Sequence, residues 1–362
     1  MEDVNDMAGH GGEIRIGIIG AGKIARTRHL PGFAAIPGVR VVAVCNQRRE
    51  SAARVAREFD IPRVHGAWEA LIEDNEVDAV VIGAWPNLHC PATLAAFDAG
   101  KHVLTQARMA MNAREAQRML DRSRECLHLA AMVVPSPYGL VADRFVRKLV
   151  DDGYLGTLRE IHAHSLSSDL ADSKTPLGWR QMTKYSGFNM LALGILHETV
   201  ARWTPPVRQL TALASKIIPT RIDPESGKPT RVGTADSVQV LTTQQDGSLG
   251  IYRLSGVVWH ETGMGVALFG SRGTLVYDLA LDELRGAKRG EPLATLDIPD
   301  ELRGVWQVEA DFIAAVRGER EVTHTDFTTG VRYMQFTEAV ARSSRHQHPV
   351  SLPLTEFSNP SL

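Results

Sequence analysis

A chain of 362 residues is long for a single hydrophobic core, so two domains are expected. With 44% hydrophobic and 23% charged residues and a formal charge of −2, it has the balance of a globular enzyme. It lacks both the basic excess that attracts nucleic acid and an acidic block.

Residues 1–13 are polar, acidic and glycine-rich and are expected to form a disordered tail. They contain no basic n-region, apolar h-region or twin arginine, which points to a cytoplasmic protein. No apolar run approaches the roughly 20 residues that span a bilayer, so no membrane partner is expected. Residues 14–20 are a continuous apolar run ending in glycine, the pattern of a buried parallel strand. A helix opens near Gly22 and pauses at Pro31. Residues 39–46 are a second apolar run, and residues 49–59 alternate as a helix does. Short strands over 78–84 and 102–106 flank a helix over 91–99, and a helix over 113–126 leads to a strand over 129–134. This alternation predicts an α/β Rossmann domain over 14–134, with a doubly wound parallel sheet.

Pro135 and Pro137 punctuate the chain and mark the domain boundary. A helix over 140–151 follows, and then runs over 158–167, 207–218, 235–243, 248–255, 264–270 and 273–278 turn to period two. They predict a C-terminal α+β domain over 135–362 with an open, mostly antiparallel sheet. Residues 220–230 read as a surface loop, and residues 306–316 and 327–344 as helices. A sheet face left uncovered by helices predicts self-association as a dimer or tetramer. Cys45, Cys90 and Cys126 form an odd set with no C-x-x-C spacing, which argues for reduced thiols. His162 and His164, and His346 and His348, pair at i, i+2 without a placed acidic third ligand, so no metal is expected.

Gly20-Ala21-Gly22-Lys23-Ile24-Ala25 is a G-x-G-x-x-A turn between a strand and a helix. Gly20 permits the tight turn, Gly22 lets the backbone approach a pyrophosphate, and Lys23 and Ile24 open the helix whose N-terminus would face the phosphates. The second strand ends in Asn46 rather than an acid. Asn46 removes the charge that would repel a ribose 2′-phosphate, and Arg48 or Arg49 could bind one or simply start an exposed helix. NADP(H) is favoured, with NAD(H) open.

Three further segments carry a family resemblance. Gly100-Lys101-His102-Val103-Leu104-Thr105-Gln106-Ala107-Arg108 resembles the GKHVL-x-Glu-Lys-Pro run of the glucose–fructose oxidoreductase/inositol dehydrogenase/rhizopine-catabolism (Gfo/Idh/MocA) family. Ala84-Trp85-Pro86-Asn87-Leu88-His89 resembles its Thr-Pro-Asn-x-x-His turn, with tryptophan for threonine and the histidine one residue early. Residues 186–197 are similar to its Gly-Gly-Gly-x-x-x-Asp-x-Gly-x-His segment. The resemblance implies a Rossmann domain, a sheet that builds oligomers, and cofactor contacts from the loop of Pro86, Asn87 and His89, where Trp85 either stacks on the nicotinamide or fills a gap. Gln106, at a strand's carboxyl end, is a further cofactor contact beside the expected nicotinamide. It also implies a lysine, an aspartate and a histidine around the substrate hydroxyl. Ala107 stands at the lysine position, Ala192 at the aspartate position and Leu196 at the histidine position, with His197 next to it.

A one-residue shift on a helix turns a side chain by about 100°. His197 therefore reaches the site only if a local bulge restores the phase. Lys184 and Tyr185, just before the glycine element, are the other candidates for proton transfer, or else a surface pair. Arg108 stays charged and can bind an anionic group or a developing alkoxide, and Gln106 can orient a substrate. Trp179, Arg180 and Asn189 are further candidate substrate contacts. The implied activity is an NAD(P)-dependent transfer of hydride between nicotinamide and a secondary alcohol or ketone of a cyclic polyol, sugar or dihydrodiol. Two alternatives stay open: a lyase or hydrolase that uses bound NAD(P) transiently, and a non-catalytic nucleotide-binding sensor.

Overall fold

The computed structural model describes residues 12–357 except residues 261 and 323. The tail expected over 1–13 falls, up to residue 11, outside the described residues. The chain divides into two compact units: one comprises the chain to Met109, Arg118–Val134 and Gln307–Phe327, and the other comprises Ala110–Gln117, Pro135–Trp306 and the chain from Thr328. The chain passes between the units at 134/135, beside Pro135, and also at four other places, which flank 110–117 and 307–327.

Unit one holds six strands: β1 (Ile14–Ile19), β2 (Val39–Cys45), β3 (Arg63–Val64), β4 (Ala79–Ile82), β5 (His102–Thr105) and β6 (Ala131–Val133). They are all parallel, in the order β3-β2-β1-β4-β5-β6. Ile16, Ile18, Val80, Val81 and Ile82 are fully buried, as strands covered by helices on both faces must be. The strand order reverses between β1 and β4, where an open α/β sheet forms a ligand crevice at its carboxyl edge. The segment Gln307–Phe327 joins this unit through the helix Val308–Val316, whose Val308, Phe312 and Ile313 are buried and which contacts the helix Leu30–Ala34. An isolated bridge from Asp326 to Met132 closes the segment onto β6.

Unit two carries β7 (Leu158–Leu166), β8 (Val207–Ser215), β9 (Thr220–Ile222), β10 (Pro229–Arg231), β11 (Ser237–Gln244), β12 (Leu249–Ser255), β13 (Gly263–Gly270), β14 (Gly273–Asp278), β15 (Glu283–Lys288), β16 (Ala294–Thr295) and β17 (Val350–Ser351). Nine of these form one sheet in the order β16-β15-β14-β13-β7-β12-β11-β8-β17. Every pairing in it is antiparallel except β7 with β12. Its inner face, with Ile161, Val240, Tyr252 and Leu268, shares a core with Leu193, Leu196, Phe336 and Val340 from the helices Leu193–Ala201 and Phe327–His346. On the opposite face Leu213, Leu241, Leu249 and Ile251 are exposed.

The segment over 220–230 is not the plain loop expected. β9 and β10 pair as a hairpin, and fully buried Arg221 donates to the carbonyls of Leu170, Asp172 and Thr175. A cation that satisfies three backbone acceptors can lie inside a segment whose composition reads as surface.

Candidate functional site

The glycine turn is built by close approach of two strand ends. Gly20 has a φ of +86°, and a side chain there would run into the backbone nitrogen of Ala84. A Cβ on Gly83 would lie 2.6 Å from the Gly20 carbonyl oxygen. Gly22 is the reverse case, because a Cβ there would meet nothing within 4 Å. That open space faces the first turn of the helix, whose N–H groups have no carbonyl four residues back, and so suits a pyrophosphate.

Asn46 is committed to this turn. Its Oδ1 accepts the Ala21 N–H at 2.7 Å, and its Nδ2 donates to Ser51 Oγ at 3.0 Å. A cleft of about 440 Å³ lies alongside, lined by Gly22, Lys23, Arg26, Ser51, Arg54 and Glu58 among others. Arg26 is held by both Glu58 oxygens at 2.8 Å, whereas Arg54 lines the cleft from the helix Arg49–Glu58. Arg48 and Arg49 are exposed and do not line it. Sequence reasoning missed Arg54, whose only signal is that it lies on the helix that follows the second strand, between one and two turns from its start. Ile24 is 47% exposed beside the turn.

The helix expected to start at 91 spans Pro86–Asp98 instead, with Trp85 as its N-cap and Pro86 in the first turn, where a missing N–H costs nothing. Trp85 is half-buried, Pro86 buried and Asn87 exposed. His89 is only 1% exposed, its Nε2 lies 2.9 Å from the Ala84 carbonyl and its Nδ1 3.0 Å from the Arg108 carbonyl. Burial pushes its pKa down, against these carbonyls, which favour the charged ring. With both ring nitrogens on main-chain oxygens, His89 fastens the loop after β4 to the loop after β5 and is not the cofactor contact expected of it.

At the end of β5, the Gln106 N–H donates to the Ile82 carbonyl at 2.9 Å, and the Ala107–Arg108 peptide is cis. Ala107 is half-buried and carries no titratable group. Arg108, expected to reach substrate, is largely buried. The Gln106 carboxamide meets Nε2 of fully buried His29, whose Nδ1 lies 2.5 Å from a carboxylate oxygen of Glu309. Neither His29 nor Glu309 was visible as a site residue, since no spacing in the chain links positions 280 residues apart.

In unit two, His197 does not occupy a working position. Its Nδ1 pairs with the Tyr252 hydroxyl at 2.9 Å, its ring stacks on Phe336 with centroids 3.5 Å apart, and burial pushes its pKa down to about 3. The helix keeps its phase, so the shifted histidine turns into the core and Leu196 is buried beside it. Asn189 is also committed, its Nδ2 donating to Ala110 and Ser186 carbonyls at 2.9 and 2.7 Å. Four of the expected residues are accessible and adjacent. Trp179 and Arg180 form a 3-10 turn with the guanidinium 4.4 Å from the indole centroid. That turn packs on the helix Thr183–Ser186, where the Lys184 ammonium lies 4.6 Å above the Tyr185 ring. Among the described residues no group of three or more His, Cys, Asp or Glu side chains could hold a metal, and no helix is long and apolar enough to cross a membrane.

A 3-2-1-4-5-6 parallel sheet with an open glycine turn at its switch point defines a dinucleotide-binding protein. Residues 14–131 match the family model described as "Oxidoreductase family, NAD-binding Rossmann fold", and residues 144–276 match the "GFO/IDH/MocA C-terminal domain". The chain belongs to the Gfo/Idh/MocA family. Among curated relatives, a dTDP-3,4-didehydro-2,6-dideoxy-alpha-D-glucose 3-reductase of Streptomyces violaceoruber is 39% identical over 153 residues, 41% of this chain and 43% of that protein. A myo-inositol 2-dehydrogenase of Thermotoga maritima is 25% identical over 267 residues, 73% of this chain and 75% of its own length. The matched region thus spans less than half of the first of these relatives. Levoglucosan dehydrogenase, solved in complex with NADH and L-sorbose, shares the fold with a TM-score of 0.82 at 20% identity, over 94% of this chain and 99% of that one.

Proposed function

We propose that this protein is an NAD(P)-dependent oxidoreductase that interconverts a secondary alcohol and a ketone on a sugar, cyclic polyol or dihydrodiol. The observation that carries this reading is the open space at Gly22, at the one place in the sheet where the fold makes a ligand crevice. Bound there, the nicotinamide dinucleotide would supply or accept the hydride. The chain must then give a proton to the ketone oxygen or take one from the alcohol. With Ala107 and Ala192 inert and His197 in the core, Tyr185 is the acid/base and Lys184, over its ring, orders it. Trp179 and Arg180 offer an apolar face and hydrogen-bond donors to a polyhydroxylated ring. The names of the relatives, a reductase of a nucleotide-linked keto-sugar and an inositol dehydrogenase, support this substrate class. NADP(H) is the favoured form, because Asn46 places no negative charge at the end of β2 and Lys23 and Arg54 line the cleft.

The test is absorbance at about 340 nm, where reduced nicotinamide absorbs. Each oxidised cofactor is offered with inositols, sugars, sugar acids and arene dihydrodiols. Net reduction is expected, and Tyr185→Phe is expected to lower kcat by about 100-fold or more while leaving cofactor affinity unchanged. Firm cofactor binding without net reduction in either direction would favour the lyase or hydrolase alternative if products of elimination or hydrolysis appear, and the sensor if none do.

A further inference from the structure

Three side chains of unit one form a continuous hydrogen-bonded row that the reading above leaves without a role. Glu309, 4% exposed, faces His29, 0% exposed, and His29 faces the half-buried Gln106. The chain makes specific provision for each member. His29 closes a π-helical turn, Ala25–His29, in which the Leu30 N–H donates to the Ala25 carbonyl five residues back. Such a wide turn changes the phase of a helix, and π turns recur at functional positions. Arg26, Thr27 and Arg28 stay exposed while His29 is turned fully inward. Gly32 leaves the space for the carboxylate, because a Cβ there would lie 2.7 Å from Glu309 Cγ and 2.8 Å from Oε2. Glu309 itself arrives on the helix Val308–Val316, from a distant part of the chain.

The row has a direction. With the Nδ1–H of His29 donating to the Glu309 carboxylate, Nε2 presents its lone pair and accepts from the Gln106 amide N–H. The Gln106 carbonyl oxygen then points away from His29, and no described residue donates to it. Gln106 follows β5, in the half of the sheet that serves the second mononucleotide of a bound dinucleotide.

We propose that Glu309 and His29 are positioning residues that turn the Gln106 carboxamide oxygen toward the nicotinamide end of the cofactor, to accept a hydrogen bond from the nicotinamide amide. The inference rests on the dinucleotide reading and adds to it a buried pair, His29 and Glu309, that acts on the cofactor through Gln106.

The experiment compares two ligands that differ only at that end: reduced dinucleotide (NADPH and NADH) and its fragment without nicotinamide (2′-phospho-ADP-ribose and ADP-ribose). Dissociation constants are measured by nicotinamide fluorescence and by calorimetry. Gln106→Met, His29→Phe and Glu309→Ala are each expected to weaken the reduced dinucleotide about fivefold, with the fragment's Kd unchanged within about twofold. Glu309→Gln keeps an acceptor for the Nδ1 proton and is expected to bind both ligands as the native chain does. Gln106 is half-buried, so its variant carries the test alone if variants of the buried pair do not fold. Parallel losses for dinucleotide and fragment, no loss for either, or a Glu309→Gln variant as weak as Glu309→Ala would each overturn the inference. Native protein that binds neither ligand would overturn the dinucleotide reading itself, and this inference with it.

Discussion

With Phe336 stacked on its ring and the Tyr252 hydroxyl at Nδ1, His197 is a neutral core side chain whose pKa burial has moved from 6.5 to about 3. The unfolded chain therefore takes up a proton near pH 6.5 that the folded chain refuses. This contribution to stability is fully present above the unfolded value and is lost as pH falls from about 6.5 toward about 3. His197→Gln keeps a polar partner for Tyr252 and cannot titrate. Its urea midpoint is expected to fall less steeply with acid than that of the native chain over this range, and parallel curves would contradict the assignment. At this scale the sequence names candidates but not their surroundings. Lys184 and Tyr185 were legible as a pair, whereas the commitment of Asn189 to two carbonyls and of His89 to the loops after β4 and β5 depends on neighbours distant in the chain.

Among the elements, the glycine turn after β1 and the helix Arg49–Glu58 together form the cleft beside Gly22. Arg54 lines that cleft, while Arg48 and Arg49 face solvent. Arg54→Ala is expected to raise the Kd for NADPH about tenfold with little change for NADH, as loss of a phosphate-binding guanidinium requires. Equal effects on both cofactors would remove the 2′-phosphate role. Elements whose character is local were readable: β1, β2 and β4 are apolar runs ended by glycine or asparagine. Two-residue β3 shows no period, and β15 alternates too weakly to stand out. The helix Val308–Val316 was expected from its own residues, but an apolar stripe says only that one face is buried. It does not say that the partner lies in the unit on the far side of Pro135–Trp306.

For the whole molecule, the outer face of the nine-stranded sheet exposes a group of large apolar side chains. Leu241 sits opposite Ile251 across β11 and β12 at 59% and 38% exposure, with Leu213 and Leu249 on the same face at 59% and 56%. A contiguous apolar patch on a sheet with no helical cover is a site of association, and two-fold pairing of identical faces is the simplest way to bury it. Light scattering behind size exclusion is expected to give a dimer or tetramer, and the double variant Leu213→Lys with Leu241→Asp is expected to give the monomer. A native protein that runs as a monomer at micromolar concentration would contradict this reading.

The return of Gln307–Phe327 to the first unit also bears on how the protein is made. On the ribosome, the strands β1 to β6 are all complete after Val133, yet the helix that contacts Leu30–Ala34 and the carboxylate that meets His29 are synthesised only after the whole of Pro135–Trp306. Nascent chains fold domain by domain from the N-terminus at about 5–20 residues per second, so this sheet waits on the order of ten seconds or more for its missing piece. Throughout that interval the helix Leu30–Ala34 lacks its contact with Val308–Val316 and the His29 ring lacks its carboxylate partner, and a message cut short before codon 307 would release a chain whose first unit never acquires either.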